Sequence, residues 1–191
     1  MSGSQPHKVP PEVDAIFKKL DSFLSNDDEQ NKRLPKSFQG LIVGGVACDE
    51  LPNAMGEFGR TATNPIPTNG PLGEVLYLSK LRTVDDSPVM FHRVRSEKSA
   101  SNTVDVYEVL SLDGKNREIL YLSMCHPRKS RKTPSGYTFA STYDPSNFPY
   151  GVNFLVPNFP QELDTHIRKW QTEILGIPLP VTRVREAIGR S

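Results

Sequence analysis

The chain has few cysteines and no long apolar run. Its 191 residues include only two cysteines, Cys48 and Cys125, far apart in the sequence. A small secreted domain stapled by disulfides normally carries more, so we expect reduced thiols and a cytoplasmic location. The longest apolar run, at 41–48, contains two glycines and is far short of the roughly 20 residues of a membrane span. The start of the chain lacks a signal-peptide pattern, so we predict a soluble protein without a membrane segment.

An excess of charge of one sign is also missing. The chain has 23 basic and 22 acidic residues and a formal net charge of +1. This balance removes any global electrostatic attraction to nucleic acid or to a membrane surface, and only local patches remain to be considered.

Apolar residues are scarce and prolines abundant. Apolar types make up 36% of the chain, and there are 17 prolines, near twice the average share of about 5%. We therefore expect much loop, including an exposed, charged connector at 25–36 and a long loop, ordered or mobile, at 53–73. The length favours one domain at 10–180, a flexible tail at 1–9, and a tail or short helix at 181–191.

Two segments have the apolar periodicity of amphipathic helices. The first follows Pro10 and Pro11 and extends to Leu24. The second follows Pro160, has Leu163 and Ile167 on its apolar stripe, and ends near Gly176.

Strand signals follow one another in the middle of the chain. Runs rich in Val, Ile, Tyr and Phe occur at 75–81, 89–95, 104–110 and 119–124. Short connections with turn residues, among them Asp113 and Gly114, predict an antiparallel meander. Shorter strands are expected at 136–139 and, at an edge, at 152–156, and a weak strand signal lies at 41–48. The predicted fold is α+β, with a mainly antiparallel sheet of about five to six strands and a helix at each end.

One six-residue segment occurs almost twice. Residues 74–79 (EVLYLS) and 118–123 (EILYLS) match at five of six positions. The match is consistent with a duplicated hairpin. The alternative is that the two segments are unrelated, because a central strand covered on both faces commonly has a continuous apolar sequence. We favour this alternative, since the flanking residues do not repeat.

Candidate catalytic and metal sites are weakly supported. Cys125 and His126 are the residue types of an activated thiolate, but neighbours on a strand point to opposite faces. Residues 91–93, which include His92, alternate in polarity as in a half-exposed strand, and the sequence indicates no catalytic partner for His92. Because no paired metal-ligand spacing, phosphate-binding loop or nucleophile elbow occurs, we predict no catalytic residue, no metal and no cofactor.

A basic segment follows the last predicted strand. Residues 126–133 (HPRKSRKT) carry four cations and no acid. The candidate residues for binding an anion or nucleic acid are Arg60, His126, Arg128, Lys129, Arg131 and Lys132. The alternative is a solvated loop whose charges prevent the neighbouring strands from pairing edge to edge with another chain. The acidic segment 27–29 offers this loop a partner within the chain or in a second copy.

The leading functional hypothesis is a non-enzymatic protein-interaction module. Its partner surface is predicted at the loops 53–73 and 127–136, because loops on a rigid scaffold commonly carry function. Phe148, Tyr150 and Phe159 are candidate partner-binding aromatics, since aromatic residues are enriched in interface cores. The alternative is a domain that binds nucleic acid or an anion, possibly a small enzyme, through the basic loop at 126–132.

Overall fold

The structure is a computed structural model that describes residues 22–23, 25–99, 103–140 and 150–175, without the side chains of 150 and 170–175. The tail predicted at 1–9, almost all of the helix predicted at 10–24, Phe148 and the segment 181–191 lie outside the described residues. The elements, in chain order, are α1 (Asp27–Lys32), α2 (Lys36–Val43), β1 (Ile66–Pro67), α3 (Gly70–Lys80), β2 (Leu81–Thr83), β3 (Val89–Lys98), β4 (Thr103–Ser111), β5 (Arg117–Ser123), β6 (Tyr137–Phe139), β7 (Tyr150–Val152) and α4 (Leu163–Leu175).

The principal sheet has five strands in the order β1-β5-β4-β3-β7. Its centre is three of the four strands of the predicted meander, in which β4 pairs antiparallel with both β3 and β5. The sheet as a whole is mixed, which corrects the prediction of a mainly antiparallel one. The short strand β1 joins β5 in parallel, and β7 joins β3 in parallel. Both come from chain segments far from their partners in sequence, and a long connection is what permits parallel pairing.

The prediction of a strand at 75–81 is wrong, because most of that segment belongs to helix α3. Pro71 lies in the first turn of the helix, where its missing N–H would have no partner in any case. Gly70, at φ +77°, adopts a conformation that glycine allows at little cost and that turns the chain into the helix. Residues 73–78 are all buried, so the helix lacks the polar stripe that would have distinguished it from a covered strand.

The hypothesis of a duplicated hairpin is wrong for the same reason. Residues 74–79 are helical in α3, whereas residues 118–123 form most of β5. The two segments share residue types that occur both in buried helices and in strands, so their similarity does not mark a repeated unit.

The predicted connector at 25–36 contains helix α1, although most of its residues are exposed. The Asn26 side chain accepts a hydrogen bond from the N–H of Glu29 at 3.1 Å and caps the helix. Gln30 is buried, and its Nε2 donates to the Phe23 carbonyl at 2.9 Å. This polar segment is thus ordered by hydrogen bonds rather than by apolar burial, which the hydrophobic pattern could not indicate.

The weak strand signal at 41–48 is also wrong, because helix α2 covers its first half. Ile42 is fully buried, while Leu41 and Val43 are exposed. The chain then passes close to the end of β5, since a Cβ added at Gly45 would lie 2.0 Å from the Cys125 carbonyl oxygen. Gly45 therefore marks a close backbone approach and not a bulged strand.

The segment 53–73 is not one continuous loop. Residues 64–70 are buried and include strand β1, and α3 begins at Gly70. Residues 53–63 form an irregular loop in which Phe58 and Gly59 are buried and the others are exposed or half-buried. The second half, from residue 64, contributes Ile66 to the core.

The remaining strands and the last helix complete the described fold. β6, within the predicted strand at 136–139, pairs antiparallel with β2 in a separate two-stranded sheet. The edge strand predicted at 152–156 lies earlier, at Tyr150–Val152. Helix α4 lies within the predicted second helix, and its Leu163 and Ile167 are fully buried in the core with α3 and the sheet. No helix among the described residues is long and apolar enough to cross a bilayer.

Candidate functional site

The two loops that the sequence singles out pack against each other. The Arg60 guanidinium donates from Nη2 to the Ser135 carbonyl at 2.7 Å. The Nζ of Lys132 lies 4.6 Å from the centre of the Phe58 ring, which is the geometry of a cation–π contact. We call residues 46–63 together with 125–136 the loop junction; the fold makes one surface of two segments that are distant in sequence.

Most cations of the basic loop are paired with acids of this chain. Arg128 Nη1 lies 2.6 Å from Asp49 Oδ1, and Lys132 forms an ion pair with Glu50. The Arg128 and Arg131 contacts hold the pKa of Asp49 below its ordinary value. The pKa of Glu50 is lowered mainly by the hydrogen bond from Lys132. The charge of the loop is therefore largely balanced from within.

Lys129 is the most enclosed of these cations. Its Nζ forms an ion pair with Asp27 of α1 and donates to Gln30 Oε1 at 2.8 Å and Asn69 Oδ1 at 3.3 Å. Burial lowers the pKa of Lys129, and the Asp27 carboxylate opposes that shift. The acidic segment 27–29 thus supplies a partner to the basic loop inside the same chain, as one of the sequence hypotheses expected.

Arg60 is engaged on several sides. Its Nε lies 2.6 Å from Glu118 Oε2 on β5, and its Nη1 lies 2.7 Å from Glu57 Oε1. Glu118 also accepts a hydrogen bond from the Tyr137 hydroxyl at 2.6 Å. The guanidinium joins the loop junction to the sheet and has few donors left for an external anion.

His126 is a buried residue with both ring nitrogens bonded. Nδ1 lies 2.9 Å from the Val46 carbonyl oxygen, and Nε2 lies 3.1 Å from Ser123 Oγ. A carbonyl oxygen only accepts, so Nδ1 carries the proton and Nε2 accepts from the serine hydroxyl. Burial lowers the pKa of His126, which favours this neutral form and leaves the ring holding the loop 44–46 to the end of β5.

His92 is likewise occupied within the fold. Its Nδ1 accepts the N–H of Val156 at 3.0 Å, so Nε2 carries the proton and donates to Glu108 Oε2 at 2.9 Å. The ring stacks on that of Phe159, with centroids 4.2 Å apart. Phe159, predicted to bind a partner, is half-buried and packs against the core. The predicted Tyr150 lies in β7 and pairs through its backbone with Met90 of β3.

The three residues of the possible thiol site do not share a cleft. His92 lies opposite Glu108, which lies opposite Ile119. Cys125 is six positions beyond Ile119, which at the rise of a strand is roughly 20 Å further along the sheet. His126 bonds to other groups, so neither histidine is placed to activate the Cys125 thiol.

A polar cluster lies in the core beneath α3. Glu74 is fully buried, and its Oε2 accepts the Tyr107 hydroxyl at 2.9 Å. The nearby Asp105, also buried, bonds to Ser96 and lies 3.2 Å from Arg93 Nη1. Burial and then the charge of Asp105 raise the pKa of Glu74 well above its ordinary value. Glu74 Oε1 has no hydrogen-bond partner in the described structure, and a proton on this oxygen makes it a donor toward Asp105.

The same environment opposes ionisation of Cys125. Burial and then the charges of Glu74 and Asp105 raise the pKa of its thiol. Burial also raises the pKa of the Cys48 thiol. A nucleophilic cysteine requires the opposite shift. Sequence reasoning missed Glu74 because its segment was interpreted as a strand; a lone carboxylate in an otherwise apolar run was the available signal.

Two of the cations near the loop junction have no hydrogen bond or ion pair from their side chains in the described structure. Arg131 has only its backbone N–H bonded, to Asp49 Oδ1 at 2.8 Å. Lys80 ends helix α3 and was not a candidate in the sequence. Among the described residues, no group of three His, Cys, Asp or Glu side chains is arranged to hold a metal ion.

Comparisons with known proteins give no family. No protein-family model, curated protein or solved structure matches the chain. The function is therefore inferred from the residues of the loop junction and their surroundings.

Proposed function

We propose that the protein is a non-enzymatic interaction module that binds a protein partner through the loop junction and the adjoining segment 41–46. The observation that carries the proposal is a group of four exposed apolar side chains at 41–55, in the same stretch of chain as Asp49 and Glu50, which pair with the basic loop. Arg128 with Asp49, and Lys132 with Glu50, join the two segments of the loop junction in the free protein. Such preorganisation reduces the ordering cost of association.

The exposed apolar residues are concentrated in one stretch of the chain. Leu41, Val43, Val46 and Met55 are 60%, 73%, 54% and 70% exposed. Single exposed apolar residues are ordinary on protein surfaces. Four large ones within 15 residues, next to loops on a rigid scaffold, favour an interface with an apolar patch on a partner protein.

The sheet edges favour loop-mediated binding over addition of a strand. The edge strands β1 and β7 have two and three residues. Beyond β7, the open edge of β3 has a register shift between Arg93 and Arg95 and ends on Glu97 and Lys98. Short edges, bulges and charges hinder pairing with another chain.

A pair of matched variants tests the interaction. The double variant Leu41→Glu/Val43→Glu places charges in the proposed surface, while Val84→Glu changes a valine that is 77% exposed in the turn between β2 and β3. Because all three side chains are exposed, we expect each variant to unfold at the wild-type temperature. Affinity purification with quantitative mass spectrometry should find a partner that is retained by Val84→Glu and lost by the double variant. A partner profile identical in both variants contradicts the proposal.

Binding of nucleic acid by the basic loop is the second proposal, and it has less support. Its candidates Arg60, Arg128, Lys129 and Lys132 are in ion pairs with acids of the chain. Breaking these pairs would offset much of the gain from phosphate contacts. Oligonucleotide binding that falls steeply with salt and is lost on Arg128→Ala/Arg131→Ala would favour this alternative.

A further inference from the structure

A cavity lies beside the loop junction, between α1, the end of α3 and the basic loop. Its volume is about 370 Å³, within the range of small-molecule sites. Its lining includes three cations, Lys80, Lys129 and Arg131, and the aromatic residue Phe139. Phe139 is held in place by edge-to-face packing on Tyr77, with ring centroids 5.3 Å apart. The cavity thus combines cations from two parts of the chain with a fixed aromatic wall.

The side chains that line the cavity have a net positive charge even when the ion pair between Lys129 and Asp27 is not counted. Lys129 and Asp27, which both line it, form an ion pair. Lys80 and Arg131 remain, and neither side chain has a hydrogen bond or ion pair in the described structure. Asp28, from the first turn of α1, lines the neighbouring cavity and not this one. The lining therefore has an excess of two positive charges.

We propose that this cavity binds a small phosphate monoester with a flat organic group. The guanidinium of Arg131 and the ammonium of Lys80 bind the dianionic phosphate, since Arg presents several donors to phosphate oxygens and Lys a compact charge. The flat group lies against Phe139. Lys129 has its three donors engaged by Asp27, Gln30 and Asn69 and contributes shape to the cavity. Lys129 and Arg131 also belong to the loop junction, but the phosphate site does not require that a protein partner binds there.

Calorimetric titration of the full chain with inorganic phosphate and with phenyl phosphate tests this site. We expect one saturable site per chain and tighter binding of phenyl phosphate, because only this ligand reaches Phe139. Lys80→Gln and Arg131→Gln should each weaken binding of both ligands about tenfold, the usual scale of a charge-assisted hydrogen bond. The matched control Lys36→Gln removes a cation at the start of α2, outside the cavity, and should bind as the wild type does.

Three results would overturn the proposal. The first is no saturable binding of either ligand by the wild type at millimolar concentration. The second is equal weakening in Lys36→Gln and in the two cavity variants, which indicates only general charge attraction. The third is tighter binding of a single-stranded oligonucleotide that has only phosphodiesters, which assigns the cations to a nucleic acid. Thermal unfolding of each variant without ligand checks that the fold is intact.

Discussion

Residues 74–79 and 118–123 have nearly the same sequence and different structures. The first segment is helical in α3, and the second lies in β5 between β1 and β4. Every residue from Glu74 to Leu78 is buried, whereas β5 alternates between the core and a more exposed face. The comparison shows that six residues with the same apolar pattern leave the choice of helix or strand to what surrounds them.

The flanking residues are part of that choice. α3 follows Gly70 and Pro71, which suit the start of a helix. β5 follows the turn at Asp113 and Gly114, where Gly114 has φ +72° and the chain returns alongside β4. The turn places the second segment next to a strand with free ladder groups, while the first has no such partner and satisfies its backbone internally.

The largest expected difference in stability is between alanine variants of Tyr77 and Tyr121, which occupy the same position in the two segments. Tyr77 is 1% exposed, and its hydroxyl donates to the Lys132 carbonyl at 2.6 Å, whereas Tyr121 is half-buried. Tyr77→Ala should lower the free energy of unfolding by about 4 kcal/mol, the cost of removing a buried aromatic side chain. Tyr121→Ala should cost about 1 kcal/mol, as is common for a single substitution. Denaturant unfolding measures both; equal losses contradict the burial of α3.

Substitution of Glu74 and of Glu118 by Gln should change the free energy of unfolding in opposite directions at neutral pH. Burial raises the pKa of Glu74, so its contribution to stability is complete below the unfolded value of about 4.3 and falls as pH rises through the folded pKa. Glu74→Gln keeps the neutral shape and should reduce this loss at neutral and alkaline pH. Glu118→Gln should instead cost about 1 kcal/mol, because it weakens the pair with Arg60.

Urea unfolding between pH 4 and pH 9, read out by circular dichroism, distinguishes these effects. Stability of the wild type should decline relative to Glu74→Gln as pH rises, and the difference should be absent at the acidic end, where the Glu74 carboxyl is protonated in both states. A difference between them that does not change with pH would refute a titrating Glu74. The matched Glu118→Gln variant controls for the loss of one negative charge.

The substitution with the smallest expected effect on stability tests most directly whether the surroundings of each segment decide its structure. Ile119→Val makes the two segments identical in sequence. Ile119 is 37% exposed, so the loss should be at or below about 0.5 kcal/mol, the lower end for this change in a core. Backbone chemical shifts from nuclear magnetic resonance should still give a helix at 74–79 and a strand at 118–123. Conversion of either segment to the other structure would show that the sequence within the segment decides.

The contacts between the two predicted loops were not visible in the sequence. The sequence predicted loops at 53–73 and 127–136, but not that they touch. The sequence did not predict the ion pairs of Arg128 and Lys132, because their partners Asp49 and Glu50 lie about 80 residues earlier in the chain. Lys80 was missed because its segment was interpreted as a strand, and strand alternation gives no reason to place it beside Arg131.

Local sequence alone determined the central meander of β3, β4 and β5, because β-branched and aromatic runs with short turns have few other ways to pair. Tertiary structure decided the rest: the helical state of residues 74–79, the parallel strands β1 and β7, and the partners of the basic loop. The physical reason is the same in each case. Burial on all sides, parallel pairing and ion pairs between distant residues are non-local, and hydrophobic periodicity describes only neighbours along the chain.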